Sequence, residues 1–285
     1  MDDLIYYFKR DKLVILATII LALIVFASIF ASIIAPHNPY DLASVSLMDS
    51  MKPPVWIEGG VNKFILGSDL QGRGILSTIL YGTRISLLVG FAAVALGGTI
   101  GITLGMIAGY FGGKVDSIIM RLADIQLSFP TMLIAITVMA FLGRGIFKLI
   151  LVIGLATWVT YARTARGSTL SVKNSEFVEA AKLIGVSRIK ILLKHILPNI
   201  LTPIIVIATV QIAQVIMLEA TLSFLGIGVP LTEPSLGLMI ADGYKRLLSG
   251  KWWLVVFPGG FLVMIVLSIN IIGDWLRDVL NPKLK

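Results

Sequence analysis

The stretch EFVEAAKLIGVSRIKILLKHILP, residues 176–198, places two glutamates and four Lys or Arg residues between two apolar runs. The chain around it has 285 residues, of which 57% are hydrophobic and only 14% charged. Its mean hydropathy is +0.94. A soluble protein carries about 25% charged residues. The composition therefore indicates a membrane protein, and this stretch is expected to lie outside the lipid.

Six apolar runs are candidates for membrane spans, because a helix needs ~20 apolar residues to cross the hydrocarbon core. The fourth is short, but Lys148 and Arg163 at its ends can reach the two interfaces. The first is longer than the ~7–15 apolar residues of a secretion signal and lacks a clear cleavage pattern, so we interpret it as a retained anchor. The pattern predicts an all-α polytopic membrane protein with six transmembrane helices. The runs are residues 13–35, 85–111, 125–143, 149–162, 196–218 and 252–273.

Charge distribution predicts the orientation. With the N-terminus inside and six spans, fifteen of the 24 Lys and Arg residues lie in the cytoplasm, as the positive-inside rule requires. Both termini and residues 176–198 are then cytoplasmic. The net charge of +8 reflects this topology, and we expect no nucleic-acid partner.

The spans divide the chain in two. Residues 1–84 are expected to form an N-terminal anchor span and an extracytoplasmic segment. Residues 85–285 are expected to form a five-span core with a cytoplasmic loop at 163–199.

Within this loop, the spacing predicts two short helices separated by a turn at Gly185. Ser175 and Ser187 are their expected N-caps, and Gly185 supplies a positive φ. One interpretation is an interfacial helix that only fixes topology. Two adjacent alanines on the first apolar face instead favour close approach of another protein. The predicted apolar faces are Phe177, Ala180, Ala181 and Ile184 on the first helix, and Ile189, Leu192, Leu193 and Ile196 on the second.

The segment resembles the EAA loop of permease subunits in binding-protein-dependent ABC importers, and residues 176–198 are called the EAA segment below. His195 stands where that pattern has Ile. The resemblance implies the type I ABC importer (MetI-like) permease fold, with this segment coupling the spans to an ATPase. The residues carried over for coupling are Glu179, Ala180, Ala181, Lys182, Gly185, Leu197 and Pro198.

Five further segments are similar to the dipeptide and oligopeptide branch of that family: FKRDKLVILATIILALIVFASIFASIIAPHNPYD, LGSDLQGRGILSTILYGTRISLLVG, EATLSFLGIGVP, PSLG and GDWLRDVLNPKL. Gly74 stands where Asp is usual, and Leu236 where Trp is common. The resemblance implies an inner-membrane permease that moves di- or oligopeptides delivered by an extracytoplasmic binding protein. It also implies a second related permease subunit and two ATPase subunits, which use ATP and Mg²⁺, so this chain needs no cofactor and performs no covalent chemistry.

Alternatives remain open at this point. The same importer type can carry nickel or another small solute. A stand-alone secondary transporter would show buried charge pairs and internal repeats, and neither is clear. An intramembrane hydrolase would need a nucleophile beside a His at membrane depth. Neither His37 nor His195 lies there, and their predicted locations in different compartments exclude a shared metal site.

Polar groups within the spans are candidates for a translocation path or gate between subunits, because they are costly in lipid. The alternative is that those near span ends sit at the interfaces. Four glycines at four-residue spacing in the second span predict close helix packing. AGYFGGKV, residues 108–115, is not a phosphate-binding loop, since Ala108 and Val115 replace required residues. The path candidates are Asp124, Gln126, Ser128, Gln211, Gln214, Glu219 and Asn270.

Overall fold

The computed structural model describes residues 2–41 and 45–280 of the chain, and helices dominate them. The helices form a bundle in which α4 and α7 make the most extensive contact. Two 3₁₀ turns, Leu47–Asp49 and Leu247–Ser249, lie in the connecting segments. In chain order the helices are α1 (Asp2–Arg10), α2 (Lys12–Ile29), α3 (Ala31–Ile34), α4 (Ile75–Phe111), α5 (Gly113–Leu127), α6 (Thr131–Leu142), α7 (Ile146–Val172), α8 (Glu176–Leu183), α9 (Arg188–Ile191), α10 (Leu197–Phe224), α11 (Leu236–Tyr244) and α12 (Trp253–Leu280).

Five helical stretches in the described residues are long and apolar enough to span a membrane. They are α2, α4, α7, the continuous run Arg188–Phe224 and α12. The third predicted run, residues 125–143, is bent at the kink that Pro130 predicts: α5 and α6 bend by 83° at the break before Thr131. Pro130 accounts for this bend, because its ring removes an N–H and crowds the preceding turn. Counting the bent pair as one span gives the six that the sequence predicts.

Helix α4 begins ten residues before the predicted run and has 37 residues, or about 55 Å at 1.5 Å per residue. The early start has a packing reason, since Ile75 and Ile79 are fully buried against α11 and α12 rather than in lipid. The predicted division between residues 84 and 85 lies inside this helix. Its two ends, called the Ile75 end and the Phe111 end below, mark the two faces of the bundle.

The predicted glycine stripe packs α4 directly against α7, which confirms the expectation of close helix approach. A methyl group added to any of the four glycines would lie 2.8 Å or less from an atom of α7. Ordinary carbon–carbon contacts are ~3.5–4.0 Å, so only glycine fits. The pairs are Gly97 with Thr157, Gly101 with Tyr161, Gly105 with Ala165 and Gly109 with Thr169.

At the Ile75 end, His37 fastens the segment after α3 to the start of α4. Its Nε2 accepts a hydrogen bond from the backbone N–H of Gly74 at 2.9 Å, so Nδ1 carries the proton and donates to Ser77 Oγ at 3.2 Å. A Cβ on Gly74 would lie 2.6 Å from His37 Cε1. The glycine at position 74 therefore makes room for the imidazole ring.

Candidate functional site

The EAA segment begins with α8, which ends in a Schellman turn. Gly185 has φ +78°, as predicted, and its N–H donates to Lys182 O at 3.1 Å. The N–H of Val186 donates to Ala181 O at 3.0 Å, which completes the motif. Ser175 occupies the N-cap position, but its hydroxyl donates back to Val172 O at 2.7 Å and does not cap the helix.

The predicted apolar face of α8 does not stay together. Ala181 is buried with Val178 in the main core of the bundle. Phe177, Ala180 and Ile184 are exposed. The single apolar face predicted for residues 177, 180, 181 and 184 is therefore wrong: Ala181 anchors the helix to its own chain, whereas Ala180 faces outward.

The second predicted stripe is also wrong in part. Leu192 and Ile196 are buried as expected, whereas Ile189 and Leu193 are exposed and Ile191 takes the inner position. The reason is a π-helical turn at Leu192–Ile196, which changes the helical register. Pro198 explains the turn, because it has no N–H for the carbonyl four residues earlier and its ring crowds that carbonyl.

The turn between α8 and α9 exposes three large apolar side chains. Leu183 is 88% exposed, Ile184 80% and Ile189 71%, and we call these three the apolar tip. Exposed cations border it at Lys182, Arg188 and Lys190. An apolar cluster with a polar rim is the typical composition of a protein-docking surface.

Three of the polar path candidates hold α5 against α7 or cap α5. Asp124 forms an ion pair with Arg163 at 2.5 Å, and Gln126 donates to Ala156 O at 2.8 Å and accepts from Trp158 Nε1 at 2.7 Å. Ser128 Oγ donates to Asp124 O at 3.0 Å. Sequence reasoning missed Trp158 and Arg163 as partners, since nothing in the spacing links residues more than thirty positions apart.

Two glutamines of α10, one buried and one exposed, line open space between the helices. Gln211 and Gln214 line a cavity of about 800 Å³ between α7, α10 and α12, together with Thr160 and Arg277. They also line a second cavity of about 270 Å³ against Thr157 and α6. The predicted i, i+3 relationship thus places both carboxamides toward the same space.

Glu219 lies outside both cavities and is completely buried. Its carboxylate accepts hydrogen bonds from Ser86 Oγ at 2.6 Å, Ser223 Oγ at 2.8 Å and Ser235 Oγ at 3.1 Å. These serines belong to α4, α10 and the segment before α11. Ser223 Oγ also accepts from the N–H of Val229 at 3.3 Å. This carboxylate therefore ties α4, α10 and the connection to α11 together near the Ile75 end. Of the three serines, only Ser223 could have been paired with Glu219 from the sequence, because it lies four residues further along the same helix.

Asn270 is half-buried on α12 and lines neither of those two cavities. At the Ile75 end, Tyr40 donates to Glu233 Oε2 at 2.7 Å, which links the segment after α3 to the connection before α11. Burial and this hydrogen bond raise the pKa of Tyr40 above its usual value. Sequence reasoning missed this contact as well.

Solved structures with a similar fold include the inward-facing forms of the MetNI methionine ABC transporter. One matches with a TM-score of 0.56 at 19% identity, covering 71% of this chain and 96% of that chain. A second crystal form matches with a TM-score of 0.57 at 20% identity, covering 72% and 97%. These matches support the expected MetI-like permease fold.

Sequence relatives cover nearly the whole chain. The dipeptide transport system permease protein DppC of Haemophilus influenzae is 38% identical over 100% of this chain and 95% of its own length. The protein of the same name from Escherichia coli is 39% identical over 100% and 94%. The oligopeptide transport system permease protein OppC of Bacillus subtilis is 37% identical over 99% and 90%.

Two family models match. Residues 1–54 match the N-terminal transmembrane domain of oligopeptide transport permease C. Residues 101–285 match the inner membrane component of binding-protein-dependent transport systems. The second match covers more than half of the chain and includes the EAA segment and the Gln211 cavity. The chain therefore belongs to the family of inner membrane components of binding-protein-dependent transport systems.

Proposed function

We propose that this chain is the permease subunit of an ATP-driven importer that carries di- or oligopeptides delivered by an extracytoplasmic binding protein. It pairs with a second related permease subunit and two ATPase subunits, which bind ATP and Mg²⁺ and carry out hydrolysis. Both termini lie in the cytoplasm. The names of the three relatives described above, which are dipeptide or oligopeptide permeases, support the peptide cargo over nickel or another small solute.

The observation that carries the proposal is the apolar tip. Three large apolar side chains stand exposed at the turn between α8 and α9, in the segment that resembles the EAA loop. An ATPase subunit that receives them would bury them. Glu179, Ala180, Lys182 and Gly185 surround the tip, whereas Ala181, Leu197 and Pro198 connect it to the bundle.

Coupling to the spans follows from how α8 is anchored. Val178 and Ala181 are buried in the same core as Tyr161 and Ala165 of α7. Movement of α8 by an ATPase would therefore displace α7 and, through the glycine contact, α4. Rocking of these helices would alternate access to the cavity lined by Gln211 and Gln214.

The carboxamides of Gln211 and Gln214 suit a peptide cargo, because an amide both donates and accepts hydrogen bonds and the peptide backbone does the same. Asp124, Gln126, Ser128, Glu219 and Asn270 remain predicted path or gate residues; the contacts described above favour a positioning role for the first four. We expect Gln214→Leu to reduce dipeptide uptake, with Met217→Leu on the exposed side of α10 as the control. Equal uptake by both variants would exclude Gln214 from the path.

The decisive experiment uses the absence of cysteine from the chain. A single cysteine replacing Lys182 is crosslinked in membranes of cells that express the genes next to this one. We expect a crosslink to an ATPase subunit that ATP weakens or shifts. A cysteine replacing the exposed Trp56, beyond the Ile75 end of α4, should give no such product and should be labelled from outside.

Each other outcome has a distinct meaning. Labelling of the residue 182 thiol only from outside would invert the topology. A thiol that is inside but never meets an ATPase would make the EAA segment an interfacial helix. That result would favour a stand-alone secondary transporter.

A further inference from the structure

A cavity of about 600 Å³ opens at the Phe111 end of α4, beside the EAA segment but away from the Gln211 cavity. It lies where α4 and α7 end and where α8 turns into α9. Six of its lining residues matter here: Tyr110, Phe111, Lys173, Asn174, Lys182 and Arg188. Three of these six are cations, and none of the described residues that line the space is a carboxylate.

The three cations are only partly satisfied within the chain. Lys173 Nζ donates to Gly109 O at 2.9 Å, and Lys182 Nζ donates to Lys173 O at 3.2 Å. Each ammonium has three donors, so each retains two for a ligand. The guanidinium of Arg188 lies 5.9 Å from the centre of the Phe111 ring and has five N–H donors.

The neighbouring carboxylate does not neutralise them. Asp116 interacts electrostatically with Lys173, but both of its oxygens are bound by Arg166, at 2.5 and 2.6 Å. The lining of the cavity therefore carries three cations whose charge Asp116 does not offset. Its natural ligand is an anion with several acceptor oxygens, which describes a phosphate group.

The surroundings indicate which phosphate. The cavity opens where the apolar helix α4 ends, and Tyr110 and Phe111 line it at that depth. Aromatic residues at the end of a span mark the membrane–water interface, and basic pockets between spans at that depth suit anionic lipid headgroups. A lipid would place its phosphate among the cations and its chains along α4. A free phosphate would use the cations alone.

We infer that this basic cavity binds the phosphate headgroup of an anionic phospholipid at the membrane surface. A bound headgroup would bridge the ends of α4 and α7 to α8 and α9, and so brace the base of the EAA segment. The inference does not depend on the proposed cargo or on crosslinking to an ATPase.

The test is native mass spectrometry of the full chain, purified in detergent with the partners that accompany it. Phosphatidylglycerol is added, with phosphatidylcholine as the neutral-headgroup comparison. The double variant Lys182→Gln/Arg188→Gln removes two lining cations. We expect its affinity for phosphatidylglycerol to fall about 25-fold, since each cation near an anionic surface contributes roughly fivefold. Lys190→Gln/Lys194→Gln is the matched control, because these cations are exposed on the same stretch but do not line the cavity.

The charge-retaining variant Lys182→Arg/Arg188→Lys should bind phosphatidylglycerol as the natural chain does, which separates loss of charge from loss of fold. Equal losses in the two Gln double variants would overturn the inference, because attraction would then be general to the surface. Equal binding of phosphatidylcholine would also overturn it.

Two further outcomes would replace the lipid with another ligand. The second measurement is the unfolding temperature of the purified chain with each ligand. If inorganic phosphate raised this temperature as much as phosphatidylglycerol did, the cavity would be a phosphate site without lipid. If the Lys182→Gln/Arg188→Gln variant kept its affinity for phosphatidylglycerol but lost a copurifying ATPase subunit that the Lys190→Gln/Lys194→Gln control retained, the cavity would receive an acidic protein surface. Either result would refute lipid binding.

Discussion

The contact between α4 and α7 makes a sharp prediction for Gly101→Ala. The new methyl group would lie 2.6 Å from Tyr161 Cβ and 2.9 Å from Ala162 N, and closer still to the carbonyl oxygen of Trp158. Because two of these atoms are backbone, no side-chain rotation can relieve the clash. The helices must separate by about 1 Å to restore ordinary contact distances of ~3.5–4.0 Å.

Gly98→Ala provides the matched control on the same helix. Its methyl group would lie 3.7 Å from Tyr161 Cε1, which is ordinary contact. Alanine favours a helix over glycine by ~1 kcal/mol, and this gain applies to both variants. Overpacking costs ~1–3 kcal/mol and applies only to Gly101→Ala. At roughly 2–4 °C per kcal/mol, we expect Gly101→Ala to unfold about 2–12 °C below Gly98→Ala.

The measurement is thermal unfolding of the purified full chain in detergent, followed by intrinsic tryptophan fluorescence. Peptide uptake by the assembled importer should fall with Gly101→Ala and stay normal with Gly98→Ala. If the two variants unfolded within 1 °C of each other, the glycine stripe would not be the close contact described here, and rigid movement of α4 with α7 would lose its basis.

Substitutions at Glu219, Gly185 and His37 test three separate parts of the fold. Glu219→Leu should lower the free energy of unfolding by ~3 kcal/mol or more, because three buried hydroxyls lose their acceptor. Glu219→Gln should lower it by less. Normal peptide uptake by Glu219→Gln would exclude a role for the charge of Glu219. Gly185→Ala should lower the free energy of unfolding by about 1 kcal/mol and impair uptake. The φ of Gly185 is +78° and the space around it is open, so the cost is backbone strain alone. Gly167→Ala, at a helical position with open space around it, should leave stability and uptake unchanged. Burial lowers the pKa of His37, so the neutral ring stabilises the fold above pH ~6.5 and that stability is lost as the pH falls through the folded pKa. His37→Asn should remove this acid-dependent part of the unfolding temperature between pH 7 and 5, and an unchanged profile would contradict it.

Local signals in the sequence predicted the helices and their interruptions well. Gly185 and Pro130 act on their own backbone, so their effects on the turn and the bend follow from residue type alone. Four glycines at four-residue spacing lie on one side of a helix, and such a stripe predicts that another helix packs closely against it. These features needed no knowledge of what lies on the facing helix.

Features that depend on distant residues were not accessible in the same way. Apolar spacing in the EAA segment misassigned Ile189 and Ala181, because a π turn changes the register and because Val178 shares the inner face. Glu219 stood out as costly in lipid, but its charge alone gave no indication of Ser86 or Ser235. A buried carboxylate can be recognised from sequence, whereas its donors come from other helices and are fixed only by packing.

One continuous core connects the two ends of the bundle. It contains Val178 and Ala181 of α8, passes along α7 and α10, and reaches Val229 beside the serine that holds Glu219. Close-packed interiors transmit displacement because they have little free volume to absorb it. A push on the apolar tip would therefore reach the Glu219 contacts through packed side chains rather than through a flexible linker. The glycine stripe would make α4 follow α7, so the proposed movement would be that of a helix pair. The hydroxyl contacts of Glu219 would then either transmit that movement to the α11 connection or break.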